Sequence, residues 1–329
     1  MGAHELDRCT CTTFSYPFFF PTASTGIPDI VRRTLPPLRH HSVVLPKQRG
    51  DKEACRCTDY SWRERCLSMM LHSPTASTTH RRRVLAYHEF SPKVSSDVYE
   101  MTPDAFSRQL EVAKAEAQRT GTHLEVTFDD AHRSQVTLAV PILEKHGILG
   151  HFFAPAAWVG ARQETASWRE LRDLVAAEHR VGSHGNTHTL LTQCSPQDLL
   201  SELVDSRRCL EDKLGNAVDT ISMPGGRWNT AVCAACIGAG YKELYVSEPV
   251  LGLHPIPSAL SESIALVGRL VVRRTMADQT VANYVAHHWA TNAKLLAESA
   301  VKRLLKYSIG EARYQALWAA ILRSPHQTT

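Results

Sequence analysis

From Arg83 onward, short apolar runs alternate with longer segments whose apolar positions recur every three to four residues. Strands are predicted at Val84–His88, Leu124–Phe128, Leu149–Phe153, Val181–Ser183, Thr220–Met223, Glu243–Val246 and Ala265–Val267. Between them, helices are predicted over Thr102–Arg119, Val136–His146, Trp168–Glu178, Pro196–Lys213 and Thr230–Ala239. The first of these helices has Thr102 or Asp104 to cap it and Phe106, Leu110, Val112 and Ala113 on its apolar side. Gly147, Gly215 and Gly240 stand where three of the helices must stop. Regular strand–helix alternation predicts an α/β fold with a parallel sheet, and the strands are numerous enough to close a barrel.

The first eighty residues do not follow this pattern. They hold 7 of the 17 prolines and 5 of the 9 cysteines, with little sustained periodicity. Cys9, Cys11, Cys55, Cys57 and Cys66 lack the two-to-four-residue gaps of common structural zinc sites. The chain therefore divides into a poorly ordered extension (1–82), an α/β body (83–290) and a C-terminal tail (291–329). In the tail, Leu295, Leu296, Ala300, Val301, Leu304 and Leu305 mark one side of an amphipathic helix, with Lys294, Lys302, Arg303 and Lys306 among them. Such a helix packs on the body or makes peripheral contact with an anionic membrane.

Charge narrows the range of partners. Residues 1–83 carry 13 Lys and Arg against 7 Asp and Glu, and the rest carries 24 against 26. A nearly neutral body argues against a nucleic-acid grip and suits a neutral glycan or small amide better. No apolar run reaches the eighteen or so residues needed to span a bilayer. No secretory signal is visible and the nine cysteines suggest no disulfide framework, so a cytoplasmic protein is expected.

The chemistry concentrates at strand ends. Asp129 and Asp130 follow one predicted strand, and His184 and His188 follow another. Either pair alone is commonplace. Together, one carboxylate and two imidazoles make a suitable ligand set for a catalytic divalent cation, most simply Zn2+. The second carboxylate is then free to act as a base. In a βα barrel, strand ends gather on one face, so residues distant in sequence can meet there. Cys233 and Cys236 have dithiol spacing but lie in a predicted Ala-rich helix, where buried packing is expected. His88, at the end of the first strand, is expected near the same mouth.

The segments VTFDDAHRS and SHGNTH and the later Met223-Pro224-Gly225-Gly226-Arg227-Trp228-Asn229 resemble the ordered motifs of polysaccharide deacetylases, the NodB-homology group of carbohydrate esterases. The resemblance runs from about Val84 to Val281 and implies an irregular (β/α) barrel. It also implies a metal-dependent hydrolase that removes N-acetyl or O-acetyl groups from a sugar or polysaccharide. In that reading Asp129 is the base, Asp130, His184 and His188 hold the metal, and Gly225 lends a backbone N–H to the oxyanion. The chain departs from the pattern at four places. Ala131 stands where many members have Gly. Ser222 and Gly225 stand where many have Arg and Tyr, leaving Arg227 or Arg269 to orient the base. The late Leu-x-His motif that supplies the acid has no counterpart at Leu253-His254 or His287-His288. Hydrolysis of a non-sugar C–N bond and a silent glycan-binding module are the alternatives.

Overall fold

The computed structural model describes residues 81–249 and 258–309. The expected extension and its cysteines, Leu253-His254, and the end of the tail lie outside the described residues. Eight strands form one sheet in the order β10-β1-β4-β5-β6-β7-β8-β9, with every ladder parallel. They are β1 (Arg82–Tyr87), β4 (His123–Phe128), β5 (Gly150–Ala154), β6 (Arg180–Ser183), β7 (Thr220–Ser222), β8 (Glu243–Val246), β9 (Ala265–Gly268) and β10 (Leu270–Val271). A separate small ladder pairs β2 (Glu89–Phe90) with β3 (Glu100–Met101). The last two strands of the large sheet are one stretch interrupted only at Arg269. Its first half pairs with β8 and its second with β1, which nearly closes a (β/α) barrel.

The α-helices among the described residues are α1 (Pro103–Thr120), α2 (Val140–His146), α3 (Trp168–Ala176), α4 (Pro196–Leu214), α5 (Thr230–Gly238), α6 (Ser258–Ser261), α7 (Asp278–Val285) and α8 (Trp289–Ile309). Thr102 caps α1, and Gly121, Gly147 and Gly215 end α1, α2 and α4 in the left-handed conformation. The helix expected over Val136–His146 starts instead as a π-helical turn, Gln135–Ala139. Pro141 explains the change: it has no N–H to give the carbonyl four residues back, so the chain widens before α2.

Alternation along the strands sorts side chains into two shells. Leu85, Tyr87, Val126, Phe128 and Phe152 join the large core that includes Phe106 of α1. Phe128 stacks on Phe152 at 4.6 Å, and Phe106 meets Tyr87 edge-on at 4.8 Å. The opposite parity faces the barrel interior, where Val84, Phe153, Tyr245 and Val267 form a small apolar plug. Gly182 is required beside it, since a Cβ there would stand 2.6 Å from the Phe153 ring. Below the plug Arg82, Glu125, His151, Thr220 and Glu243 form a polar cluster. Above it lie Asp129, His184, Ser222 and Arg269.

Cys233 and Cys236 are buried in α5, as expected, and burial pushes both thiols up, away from reactivity. Leu295 of α8 is buried, whereas Val301 and Leu304 are exposed. No helix among the described residues is long and apolar enough to cross a membrane.

Candidate metal centre and active site

β4 delivers the acidic pair, and the backbone separates their directions. Asp129 keeps the inward parity of Glu125 and Thr127 and is 3% exposed. Asp130 then takes φ 71° and Ala131 φ 47°, both left-handed. Such a conformation costs a non-glycine residue about 1–2 kcal/mol, so the surroundings must enforce it. The Gln135 amide does so by donating to the carbonyls of both Asp129 (2.5 Å) and His88 (2.7 Å). The N–H of Ala166 holds the Ala131 carbonyl at 2.9 Å. Alanine therefore occupies the strained place where many deacetylases carry glycine.

The histidine segment is an irregular loop rather than a helix. His184 continues from β6, its N–H bonding the Ala154 carbonyl at 2.9 Å. Its Nδ1 lies 2.9 Å from the Ser222 carbonyl, which fixes that nitrogen as the donor and leaves Nε2 as a lone-pair ligand. Gly185 (φ 75°) and His188 (φ 64°) turn the loop back on itself. The Trp158 ring backs His188, with centroids 4.9 Å apart.

These turns bring Asp130 Oδ1 to 3.1 Å from His188 Nε2 and 3.5 Å from His184 Nε2. All three ligand atoms lie within 4.8 Å of one another. Asp130 Oδ1 is buried yet makes no well-directed hydrogen bond, because the atoms converge on a shared point rather than on each other. Tetrahedral ligands about 2.0–2.1 Å from a Zn2+ ion stand roughly 3.3 Å apart, so the donor set and its spacing fit a divalent cation. Burial would raise the Asp130 pKa, but His188, His184 and His88 outweigh it and Asp129 to hold the group down. Burial lowers the pKa of His184, keeping it the neutral ligand a metal needs.

Asp129 stands apart from this cluster. The Arg269 guanidinium grips it with two bonds, to Oδ1 at 2.7 Å and to Oδ2 at 2.8 Å. The same guanidinium reaches Thr127 Oγ1 at 3.2 Å and Ser222 Oγ at 2.8 Å. Burial alone would raise the pKa of Asp129, yet Arg269 first and His184 next hold it far below the usual carboxylate range. Of the two arginines that the sequence left open, Arg269 is the one on Asp129. Ser222, at the position where many deacetylases carry their arginine, now accepts a bond from the replacement. A lone charge inside the apolar run Leu266–Val272 marks Arg269 as a buried residue, without saying which carboxylate it meets.

The remaining candidates fall into place around this centre. Gly225 has φ 63°, and a Cβ on Gly185 would lie 3.6 Å from Pro224, so the third motif abuts the histidine loop. His88 helps to hold both carboxylates down, and its Nδ1 is buried without a hydrogen-bond partner. His287 and His288 lie in the turn between α7 and α8 rather than within a helix, because His287 takes φ 57°.

Fold and site together define a parallel (β/α) barrel with an Asp/His/His cluster able to hold a cation and a separately held aspartate at its strand ends. Residues 116–244 match the polysaccharide deacetylase family model. The match includes the acidic pair, the histidine loop and Gly225, but not His88 or Arg269. Among curated relatives, the peptidoglycan-N-acetylglucosamine deacetylase PgdA of Listeria monocytogenes is 31% identical over 37% of this chain and 25% of its own length. A chitooligosaccharide deacetylase of Bradyrhizobium is 27% identical over 37% of this chain and 54% of its own. The chain thus spans about half the length, or less, of these curated relatives. The fold matches that of the Streptococcus pyogenes deacetylase PplD with a TM-score of 0.54 and 19% identity, over 62% of this chain and 98% of that one.

Proposed function

We propose that this chain is a cation-dependent hydrolase that removes N-acetyl groups from a glycan or small sugar. The observation that carries this reading is the pairing of a convergent Asp130/His184/His188 cluster with an arginine-held Asp129 on the same rim. Relatives named for deacetylation of chitooligosaccharide and peptidoglycan N-acetylglucosamine support the substrate class.

Asp130, His184 and His188 would hold the ion, for which zinc is the best match to one oxygen and two imidazole donors. When bound, such an ion polarises the acetyl carbonyl and makes water acidic enough to lose a proton near neutral pH. Asp129, kept ionised by Arg269, accepts that proton as water adds to the acetyl carbon. The N–H of Gly225 is the backbone donor for the negative charge that develops on the acetyl oxygen. The C–N bond then breaks, giving acetate and a free amine. A carboxyl held as acidic as Asp129 returns its proton readily, which suits delivery to the leaving nitrogen.

Acetate release from chitooligosaccharides, measured with and without a chelator, tests this reading. Release that stops with chelator and returns with zinc is expected. Cation binding without acetate release would favour a silent glycan-binding module, and release from simple amides alone would favour a non-sugar C–N hydrolase.

A further inference from the structure

The segment that joins the two histidines is tied down by a residue outside every motif. Glu202 of α4 is 9% exposed and points into the back of the His184–His188 loop. Its Oε2 accepts the backbone N–H groups of Asn186 (2.8 Å) and Thr187 (3.0 Å), while Oε1 accepts the Thr187 hydroxyl at 2.5 Å. Among the described residues no Lys, Arg or His forms an ion pair with it. Its charge is therefore balanced chiefly by the loop itself. A Cβ on Gly185 would stand 3.1 Å from Oε2, so the loop approaches the carboxylate as closely as glycine allows.

This geometry has a consequence for His188. The loop must carry the chain from a buried ligand to a second one held at left-handed φ, four residues on. His184 is fixed independently by Ser222, whereas His188, among the described residues, has the Trp158 ring at its back and no comparable backbone tether. Two consecutive N–H groups converging on one carboxylate oxygen form a small anion-binding nest, which sets the backbone immediately before His188. We propose that Glu202 is a positioning residue for the cation site: it presets the loop so that His188 Nε2 meets Asp130 and His184 before any ion arrives. It acts through the loop and touches neither ion nor substrate. The inference rests on the cation-binding reading above.

The test is zinc and cobalt affinity, measured by competition with a chromophoric chelator on the full chain, alongside the melting temperature of the cation-free protein. Glu202→Ala is expected to weaken binding about ten- to a hundredfold, the range usual for lost groups behind metal ligands. Glu202→Gln should recover most of it, since the amide oxygen still accepts both N–H groups and the amide nitrogen can donate to Thr187. Thr187→Val, which removes one bond of the three, should fall between wild type and Glu202→Ala. The cobalt absorption of Glu202→Ala should change shape, which a loss of stability alone would not produce. Wild-type affinity and spectrum in Glu202→Ala, with binding lost in His188→Ala, would overturn the role of Glu202 and leave the cation site standing. Failure of the wild-type chain to bind either ion would overturn both.

Discussion

The two ends of the barrel interior use the same chemical vocabulary to opposite effect. At the N-terminal end Glu125, Arg82 and His151 leave little unsatisfied. Glu125 takes bonds from Arg82 Nε (2.8 Å), His151 Nδ1 (3.0 Å) and the Tyr245 hydroxyl (2.9 Å). The other nitrogen of His151 meets Thr220 Oγ1 at 3.0 Å, and Arg82 also reaches Glu243 at 2.7 Å. At the C-terminal end Asp130 Oδ1 is buried with no hydrogen bond, two imidazole nitrogens face it, and Asp130, Ala131 and His188 are all left-handed. A saturated cluster on relaxed strands holds a fold together. An unsaturated one on strained turns is poised for a ligand.

The largest expected effect separates the proposed base from the proposed cation ligands at the C-terminal end. Asp129→Asn should lower acetate release about a hundredfold to ten-thousandfold while retaining the cation. Asp130→Ala and His184→Ala should instead lose cation affinity. If Asp129→Asn loses the ion and Asp130→Ala keeps it, the two roles are reversed.

Next in size is the arginine on Asp129. Arg269→Met leaves the buried Asp129 without its counter-charge, an arrangement that typically costs about 3–5 kcal/mol. The same change should move the acid limb of the pH–rate profile upward, because the charge that depresses Asp129 is gone. A profile that stays in place would mean Asp129 does not govern that limb.

The contrast between the ends gives a stability test. Asp130→Gly removes a ligand but also a left-handed strain of about 1–2 kcal/mol, partly offset by the flexibility of glycine in the unfolded chain. The cation-free protein should therefore melt at or slightly above the wild-type temperature. Glu125→Ala, at the other end, leaves Arg82 short of a partner and should melt well below it, with cation affinity unchanged. Equal losses from both variants would erase the distinction.

Much of this was legible in the sequence, for identifiable reasons. Helix and strand periods depend on local patterns, and the acidic pair and HxxxH spacing sit directly after their strands. The polar interior was not legible. Glu125, Thr127 and Asp129 alternate with Leu124, Val126 and Phe128, a pattern that normally marks a solvent face; here both faces are buried. Arg269 could not be chosen over Arg227 because the choice depends on how the last strand crosses from β8 to β1. Glu202 was invisible for a similar reason: an acidic residue in an amphipathic helix looks like solvent-facing charge until the loop it holds is in place.

The smallest effect concerns pH. Burial lowers the pKa of His151 below its ordinary 6.5, so from that pH downward the unfolded chain binds a proton that the folded chain resists. Stability that is complete above about 6.5 is therefore lost as pH falls toward the folded value. Glu125 adds a second stage. Burial opposes its ionisation, but His151 and Arg82 prevail and bring its pKa from 4.5 to about 2, so its contribution is present above 4.5 and lost as pH falls through about 2. His151→Gln should keep a donor for Glu125 and an acceptor for Thr220 while removing the first stage. Melting curves of this variant between pH 7 and 5 should show a shallower decline, with the other depressed histidines, His179, His184 and His287, supplying what remains. A slope identical to wild type would mean that His151 is protonated in the folded state. His151 would then add a positive charge to the Arg82–Glu125–Glu243 network instead of serving it as a neutral donor and acceptor.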